Sequence, residues 1–310
     1  MKKRGFLQIS FAWLFAIIVG AVILTLAIYG VTKTVDIGET TVDAKTAKEI
    51  SVLLNPLETG FEIGKTTTII LPAETRIYSR CNSLGNFGKQ GISVSQKSFN
   101  QWTETDVEVS FENKYIFSDN YVEGKAFYIF SKPFEFPFKV TDLLYITSSK
   151  DNYCFVNAPY DVKEELDALG QKNIFTENCE NISNRITVCF GSSEECNVTV
   201  RYNYGQVEKD GEILYFETDA LMYAAIFSDV SNYECQIKRI MKRVGSLADI
   251  YSDKENFISS KGCNSNLEIY LTQLSNSANS LTSSASLDNI WITVEELEEK
   301  NKLNKVCPLW

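Results

Sequence analysis

Residues 5–32 read GFLQISFAWLFAIIVGAVILTLAIYGVT, 28 residues without a charged side chain. Trp13, Leu14, Phe15, Ile17, Ile18, Val22, Ile23, Leu24, Leu26 and Ile28 leave no polar side on the helix such a run would form. At ~1.5 Å per residue that helix is about 40 Å long, and about 20 apolar residues cross a bilayer core. The stretch predicts a membrane span, with the lipid bilayer as the partner of residues 5–32. It decides the architecture, because the rest of the chain becomes a tethered domain. Lys2, Lys3 and Arg4 precede the run, and Lys33 alone follows it before Asp36, Glu39 and Asp43. Short flanks rich in Lys and Arg stay on the cytoplasmic side. The pattern predicts a single-pass protein of the cell membrane, N-terminus cytoplasmic and C-terminal domain extracytoplasmic. The run is longer than a signal-peptide core and no Ala-x-Ala follows it, which favours a retained signal-anchor over a cleaved leader.

Composition narrows what the exported part does. The chain carries a net charge of −10, and residues 1–33 hold four cations and no acid, so the remainder carries −14. So acidic a surface repels phosphate backbones, which argues against nucleic-acid binding. The sequence has no histidine. That removes Ser-His-Asp and Cys-His catalysis and the usual zinc and copper ligands. No catalytic, cofactor-binding or metal-binding residue is nominated. Carboxylate pairs such as Glu104 with Asp106, or Glu108 with Glu112, are too common in an acidic chain to single out. Gly60 to Thr66 resembles a phosphate-binding loop but has three residues between its glycines where four are needed.

Eight cysteines, Cys81, Cys154, Cys179, Cys189, Cys196, Cys235, Cys263 and Cys307, all lie beyond the apolar run, and no CxxC pair occurs. In an exported domain they predict up to four disulfides. Cys189 and Cys196 make the best pair, because residues 186–190 and 196–200 read as the arms of a hairpin that would place them opposite each other. Cys307, close to the C-terminus, predicts a bridge that pins the tail. Asn181-Ile182-Ser183 and Asn197-Val198-Thr199 are glycosylation sequons.

The element pattern predicts an α+β protein. After a cytoplasmic tip and anchor (1–33), residues 34–58 read as an amphipathic juxtamembrane helix extending the anchor, with Asn55-Pro56 at its end. Residues 59–218 read as a β-rich, antiparallel ectodomain, and 219–310 as a helical C-terminal region. Phe134, Phe136 and Phe138 alternate, so they share one face of an extended segment. They offer either an aromatic platform for a sugar or partner protein, or ordinary core. Asp210-Gly211 supplies a tight hairpin turn. Lys238, Arg239, Lys242 and Arg243 form a basic stripe on a helix. It offers a surface for an anionic partner or a neighbouring copy, or else pairs with the protein's own carboxylates. Leu267, Leu271, Leu274, Ala278, Leu281 and Ala285 form a heptad-like stripe. Thr293 to Glu296 reads as a capping box opening a last helix.

The N-terminus resembles type IV pilin-like and archaellin-like surface proteins. Lys3-Arg4-Gly5 supplies their basic tip and cleavage glycine, and Gln8-Ile9-Ser10 their next segment. Phe6 and Leu7 intervene, and Ala12 stands where archaeal members carry Glu. That resemblance implies a processed subunit, or minor component, of a surface filament. The residues themselves predict a membrane-anchored, non-catalytic surface protein for adhesion, envelope architecture or complex assembly. An envelope hydrolase working through carboxylates is the third possibility.

Overall fold

The computed structural model describes residue 13 and residues 15–31, 66–98, 101–102, 108–191 and 196–310. The pilin-like motif at residues 3–12, the 34–58 helix, residues 60–65 of the phosphate-loop lookalike, and Glu104 and Asp106 lie outside them. Residues 15–31 are helical, with side chains exposed along the whole length. Among the described residues no helix is long and apolar enough to cross a membrane. The described helix is only part of the 28-residue apolar run.

Two sheets come next, and the fold is α+β. The first is built from β1 (Thr66–Asn82), β2 (Lys89–Ser98), β3 (Gln101–Trp102), β4 (Glu108–Phe111), β5 (Ile116–Phe117), β6 (Tyr121–Glu135) and β7 (Lys139–Ser148). Its order is β3-β2-β1-β6-β7-β5, with β4 also on β2; all pairings are antiparallel except β5 with β7. Alternation sorts its side chains. Phe127, Ile129, Leu144 and Ile146 fill a small cluster on one face, while Phe130, Leu143 and Tyr145 join the main core on the other.

The second sheet contains β8 (Asn152–Val156), β9 (Ile174–Phe175), β10 (Arg185–Phe190), β11 (Val198–Arg201), β12 (Gln206–Lys209) and β13 (Glu212–Tyr215), in the order β13-β12-β11-β10-β8-β9. The antiparallel expectation fails here. β9, β8, β10 and β11 pair in parallel, and only β12 and β13 run antiparallel. Helix α1 (Tyr160–Ala168) carries the chain from β8 to β9. The 186–200 stretch is therefore not a hairpin. The Asn197 N–H donates to the Thr187 carbonyl, and the Asn197 Oδ1 accepts from the Thr187 N–H at 2.8 Å. These bonds bring the chain back to the start of β10, so β11 runs beside it in the same direction. Parallel neighbours usually need a crossover of about a dozen residues or more; here residues 191–197 suffice. The Asp210-Gly211 hairpin is present, with both residues at positive φ (54° and 79°) between β12 and β13.

Helix α2 (Asp219–Phe227) lies between the sheets, and Ala220 through Phe227 are all buried. It touches β5, β6 and β7 of one sheet and β12 and β13 of the other. Phe227 packs edge-on against Phe130 (centroids 5.5 Å apart) and against Tyr153 (4.8 Å), one ring from each sheet. The Tyr145 hydroxyl donates to the Ala220 carbonyl at 2.8 Å. Helix α3 (Val230–Ser259) buries Ile237, Ile240, Met241, Val244 and Ala248 in the same core. Helix α4 (Glu268–Asn279) packs on α3 through Leu271, Leu274 and Ala278. Helix α5 (Leu287–Leu303) starts before the expected capping box. Leu287, Ile290 and Val294 extend its apolar face upstream, so Thr293 is buried mid-helix and accepts from Gln273 Nε2 at 3.2 Å.

The opposite side of α3 is polar and equally buried. Asn232 and Gln236 donate to the Ile116 carbonyl at 3.2 and 3.1 Å. Arg239 is fully buried, and among the described residues it forms no ion pair with a carboxylate. Its guanidinium donates to the carbonyls of Phe87 (3.1 Å), Lys114 (2.8 Å), Glu112 (3.0 Å) and Phe111 (3.4 Å), and to Gln236 Oε1 (2.8 Å). It also lies over the Tyr115 ring, 4.8 Å from the centroid. Burial pushes its pKa down to about 10, with Tyr115 and Glu112 opposing that shift. Gly88 makes room for it: φ is +59°, and a Cβ there would collide with the Asn82 carbonyl oxygen and the Arg239 stem.

Removing this guanidinium leaves the buried Lys114 carbonyl and the partly buried carbonyls of Phe87, Phe111 and Glu112 without this donor and opens a void. Arg239→Ala is expected to lose about 3–5 kcal/mol of stability in urea denaturation with disulfides intact. Arg239→Lys should fall between, since an ammonium reaches fewer of the acceptors. A loss below about 1 kcal/mol for the alanine variant would contradict the clamp.

Candidate functional site

The residues singled out from sequence divide into staples, core and surface. All eight cysteines are paired: Cys81 with Cys235, Cys154 with Cys179, Cys189 with Cys196, and Cys263 with Cys307. The 189–196 bridge forms, but it closes the tight parallel crossover instead of a hairpin. Cys263–Cys307 pins the C-terminal tail. Cys81–Cys235 ties β1 to α3 across 154 residues, a closure contributing about 5 kcal/mol in the chain-entropy picture. Asn181 is exposed at the end of a 3₁₀ turn (Cys179–Asn181), and Asn197 is exposed beside Thr187.

Neither candidate surface lies open, and for the three phenylalanines the alternative of ordinary core is the one present. Phe134, Phe136 and Phe138 are buried in the main core. Phe134 stacks on Phe136, Phe136 meets Trp291, and Phe138 stacks on Tyr251. The alternation was real, but the face it marks is covered by helices α3 and α5. The basic stripe also turns inward. Arg239 is the clamp described above; Lys242 Nζ donates to the Ser83 (2.6 Å) and Gly85 (2.8 Å) carbonyls, and Arg243 Nε to the Val140 carbonyl (2.8 Å). Lys238 is half-buried. Arg239, Lys242 and Arg243 thus serve main-chain oxygens, and among the described residues none of them forms an ion pair with a carboxylate.

What lies open is a cleft of about 600 Å³ at one end of the smaller sheet. One wall is a 3₁₀ turn, Tyr202–Tyr204, between β11 and β12. The other comes from Phe216 to Asp219, where β13 runs into α2, and from Asp288 at the start of α5. Gly205 fixes the turn. It sits at φ +59°, its carbonyl accepts from the Phe216 N–H at 2.8 Å, and a Cβ there would collide with the Phe216 carbonyl oxygen. The turn holds Tyr204 outward, 78% exposed. Tyr202 donates to Asp219 Oδ1 at 2.9 Å, and burial with that bond pushes its hydroxyl up to about 12. A second groove of about 460 Å³ runs along the other side of the turn, past Pro159, Phe190 and Val200. Tyr202, Asn203 and Tyr204 form the ridge between the two.

Glu217 is the perturbed acid of the cleft. Burial first, then the charges of Asp288 and Glu295, push its pKa up to about 7. Among the described residues no ion pair involves Glu217, Asp219, Asp288 or Glu295. A third cavity, of about 480 Å³, contrasts with this. Its Glu123 is held below the usual range despite burial by Lys150 and Arg76, and its Asp119 meets Lys209 at 3.3 Å. Glu123 and Asp119 there are answered by cations, whereas burial pushes the carboxyl of Asp151, on the same cavity, up. Among the described residues no group of His, Cys, Asp and Glu side chains is arranged to hold a metal.

Fold and site together define an α+β protein stapled by four disulfides, with an aromatic, acidic cleft open at one end. No family model, no curated protein and no solved structure matches the chain. Sequence reading missed Tyr202, Tyr204, Glu217 and Asp288. The available signal was Tyr202-Asn203-Tyr204-Gly205, two aromatics in a turn, where no core requires them.

Glu217 gives this cleft a pH signature. An acid whose folded pKa is raised from 4.5 to about 7 adds stability below pH 4.5 that is lost as pH rises toward 7. Glu217→Gln should therefore match the parent near pH 4.5 and exceed it by about 1–2 kcal/mol at pH 8, after allowance for solvent screening. Urea denaturation of both proteins across that range reads the difference, and a constant offset would refute the assignment.

Proposed function

We propose that this chain is a membrane-anchored, non-catalytic surface protein whose domain works outside the cell, in adhesion, envelope architecture or assembly with a partner protein or further copies of itself. One observation carries the reading: every cysteine lies beyond the apolar run, and every one is in a disulfide. Four bridges in one chain belong to an oxidising compartment, and the charge bias around residues 5–32 directs the rest of the chain there. The exposed apolar side chains of residues 15–31 support the same reading. In water such a helix loses ~25 cal/mol for each Å² left unburied, and a bilayer removes that cost. The anchor is then the N-terminal transmembrane helix, extended by residues 34–58 toward the ectodomain.

The pilin-like alternative shares the sidedness and differs at the mature N-terminus. Cleavage near Gly5 would make the chain a filament subunit or minor component, with the apolar helix packed against other copies.

A reporter that is active only outside the cytoplasm, fused after Trp310, should be active. Alkylation of the denatured, unreduced protein should modify no cysteine. A cytoplasmic reporter, or two or more alkylated cysteines, would remove the basis for export. Mass spectrometry of the N-terminal peptide separates the two forms: a start at Met1 or Lys2 means an uncleaved anchor, and a start near Gly5 a processed subunit.

A further inference from the structure

We infer that the cleft between the Tyr202–Tyr204 turn and the Phe216–Asp219 corner binds a neutral saccharide chain, laid across the tyrosine ridge and hydrogen-bonded by Asn203, Glu217, Asp219 and Asp288. Several features point to this ligand class. Tyr204 is a large ring held 78% exposed on a turn that Gly205 locks. Beside it the Tyr202 ring is fixed before binding, against Phe190 and Phe216 and by its hydroxyl bond to Asp219, and a ring so held loses little freedom on contact, the condition under which a flat platform gains affinity. A pyranose presents just such a ring with an apolar C–H face, while its hydroxyls project around the rim. The groups around the platform match that rim: carboxylates accept hydroxyl protons, and the Asn203 amide and tyrosine hydroxyl donate and accept.

Glu217 extends the match. With its pKa near 7, it is present at neutral pH in both protonation states, so it serves as donor or acceptor according to which hydroxyl faces it. The charge of the cleft sets the specificity. Glu217, Asp219 and Asp288 stand without an ion-pair partner among the described residues, so uronate, sulfated or phosphorylated chains are repelled. Two grooves flanking one ridge make room for a chain of several sugars, not a single unit. The inference deepens the proposed surface role by naming a ligand. It rests on that role only for where the ligand is met, because binding is measured on purified protein and sidedness in cells.

The test uses the full-length chain in a detergent without a sugar headgroup, titrated with cello-, malto-, manno- and chito-hexaose. Protein-observed NMR or calorimetry reads the binding. At least one series should bind, and Tyr204→Ala and Asp288→Asn should each weaken it roughly tenfold. Leu84→Ala, which alters an exposed side chain on a different loop, should not change it. Cleavage of the bound chain that disappears in Glu217→Gln would also support occupancy of the cleft and would add a hydrolytic role. Absence of binding by all four series would overturn the inference, as would binding that both cleft variants leave unchanged. So would salt-sensitive capture of an arginine-rich peptide by the same residues, with no saccharide binding, which would assign the cleft to a basic protein partner.

Discussion

The fold depends on a buried cation answered by main-chain carbonyls and, among the described residues, by no ion pair. Arg239 donates to main-chain carbonyls from the turn after β1 and from the segment between β4 and β5. Those carbonyls are the ends of strands, where the ladder stops and acceptors are left over. A guanidinium has five donors in a rigid plane, enough to answer several at once. The helix that carries it is thereby fixed to the larger sheet. Lys242 and Arg243 repeat the device one turn further along, on the Ser83, Gly85 and Val140 carbonyls. Cys235, one turn before Arg239, adds the covalent tie to Cys81.

With α3 anchored on its polar side, its apolar side can close the core. α2 then fills the space between the sheets and needs no polar face. Its eight buried residues, Ala220 to Phe227, are as uniformly apolar as the N-terminal run, but protein encloses them on all sides. The N-terminal helix has no such enclosure among the described residues, since its side chains are exposed. The same property of sequence therefore has two outcomes, and the length of the run separates them: eight residues in α2, and 28 in the N-terminal stretch.

The smaller sheet shows how the cleft arises. A parallel strand pair closed by a short connection puts β11 next to β10, and the Tyr202–Tyr204 turn comes directly after it at the sheet's end. The Phe216 to Asp219 corner meets it there because β13 must leave the sheet to enter α2. Glu217 falls at this corner, half-buried among like charges, which is why its proton is held so tightly. The strain is local and unanswered, unlike the paired charges around Glu123 and Lys150.

What local chemistry controls was legible in the residues. The change of pattern near residue 219 located the helical C-terminal region, and Asp210-Gly211 marked its turn through its positive φ angles. The position and even number of the cysteines announced the staples. Which way faces point and which way strands run came from long-range packing. Phe134, Phe136 and Phe138 read alike as platform or core, because alternation gives a shared face and not what covers it. Lys238 to Arg243 read as a surface stripe because charge normally seeks water, and no local pattern foretells carbonyls from residues 83–140 converging on one helix. The parallel course of β10 and β11 turns on two hydrogen bonds at Asn197, and the cleft joins Tyr202, Glu217 and Asp288, residues brought together by packing alone.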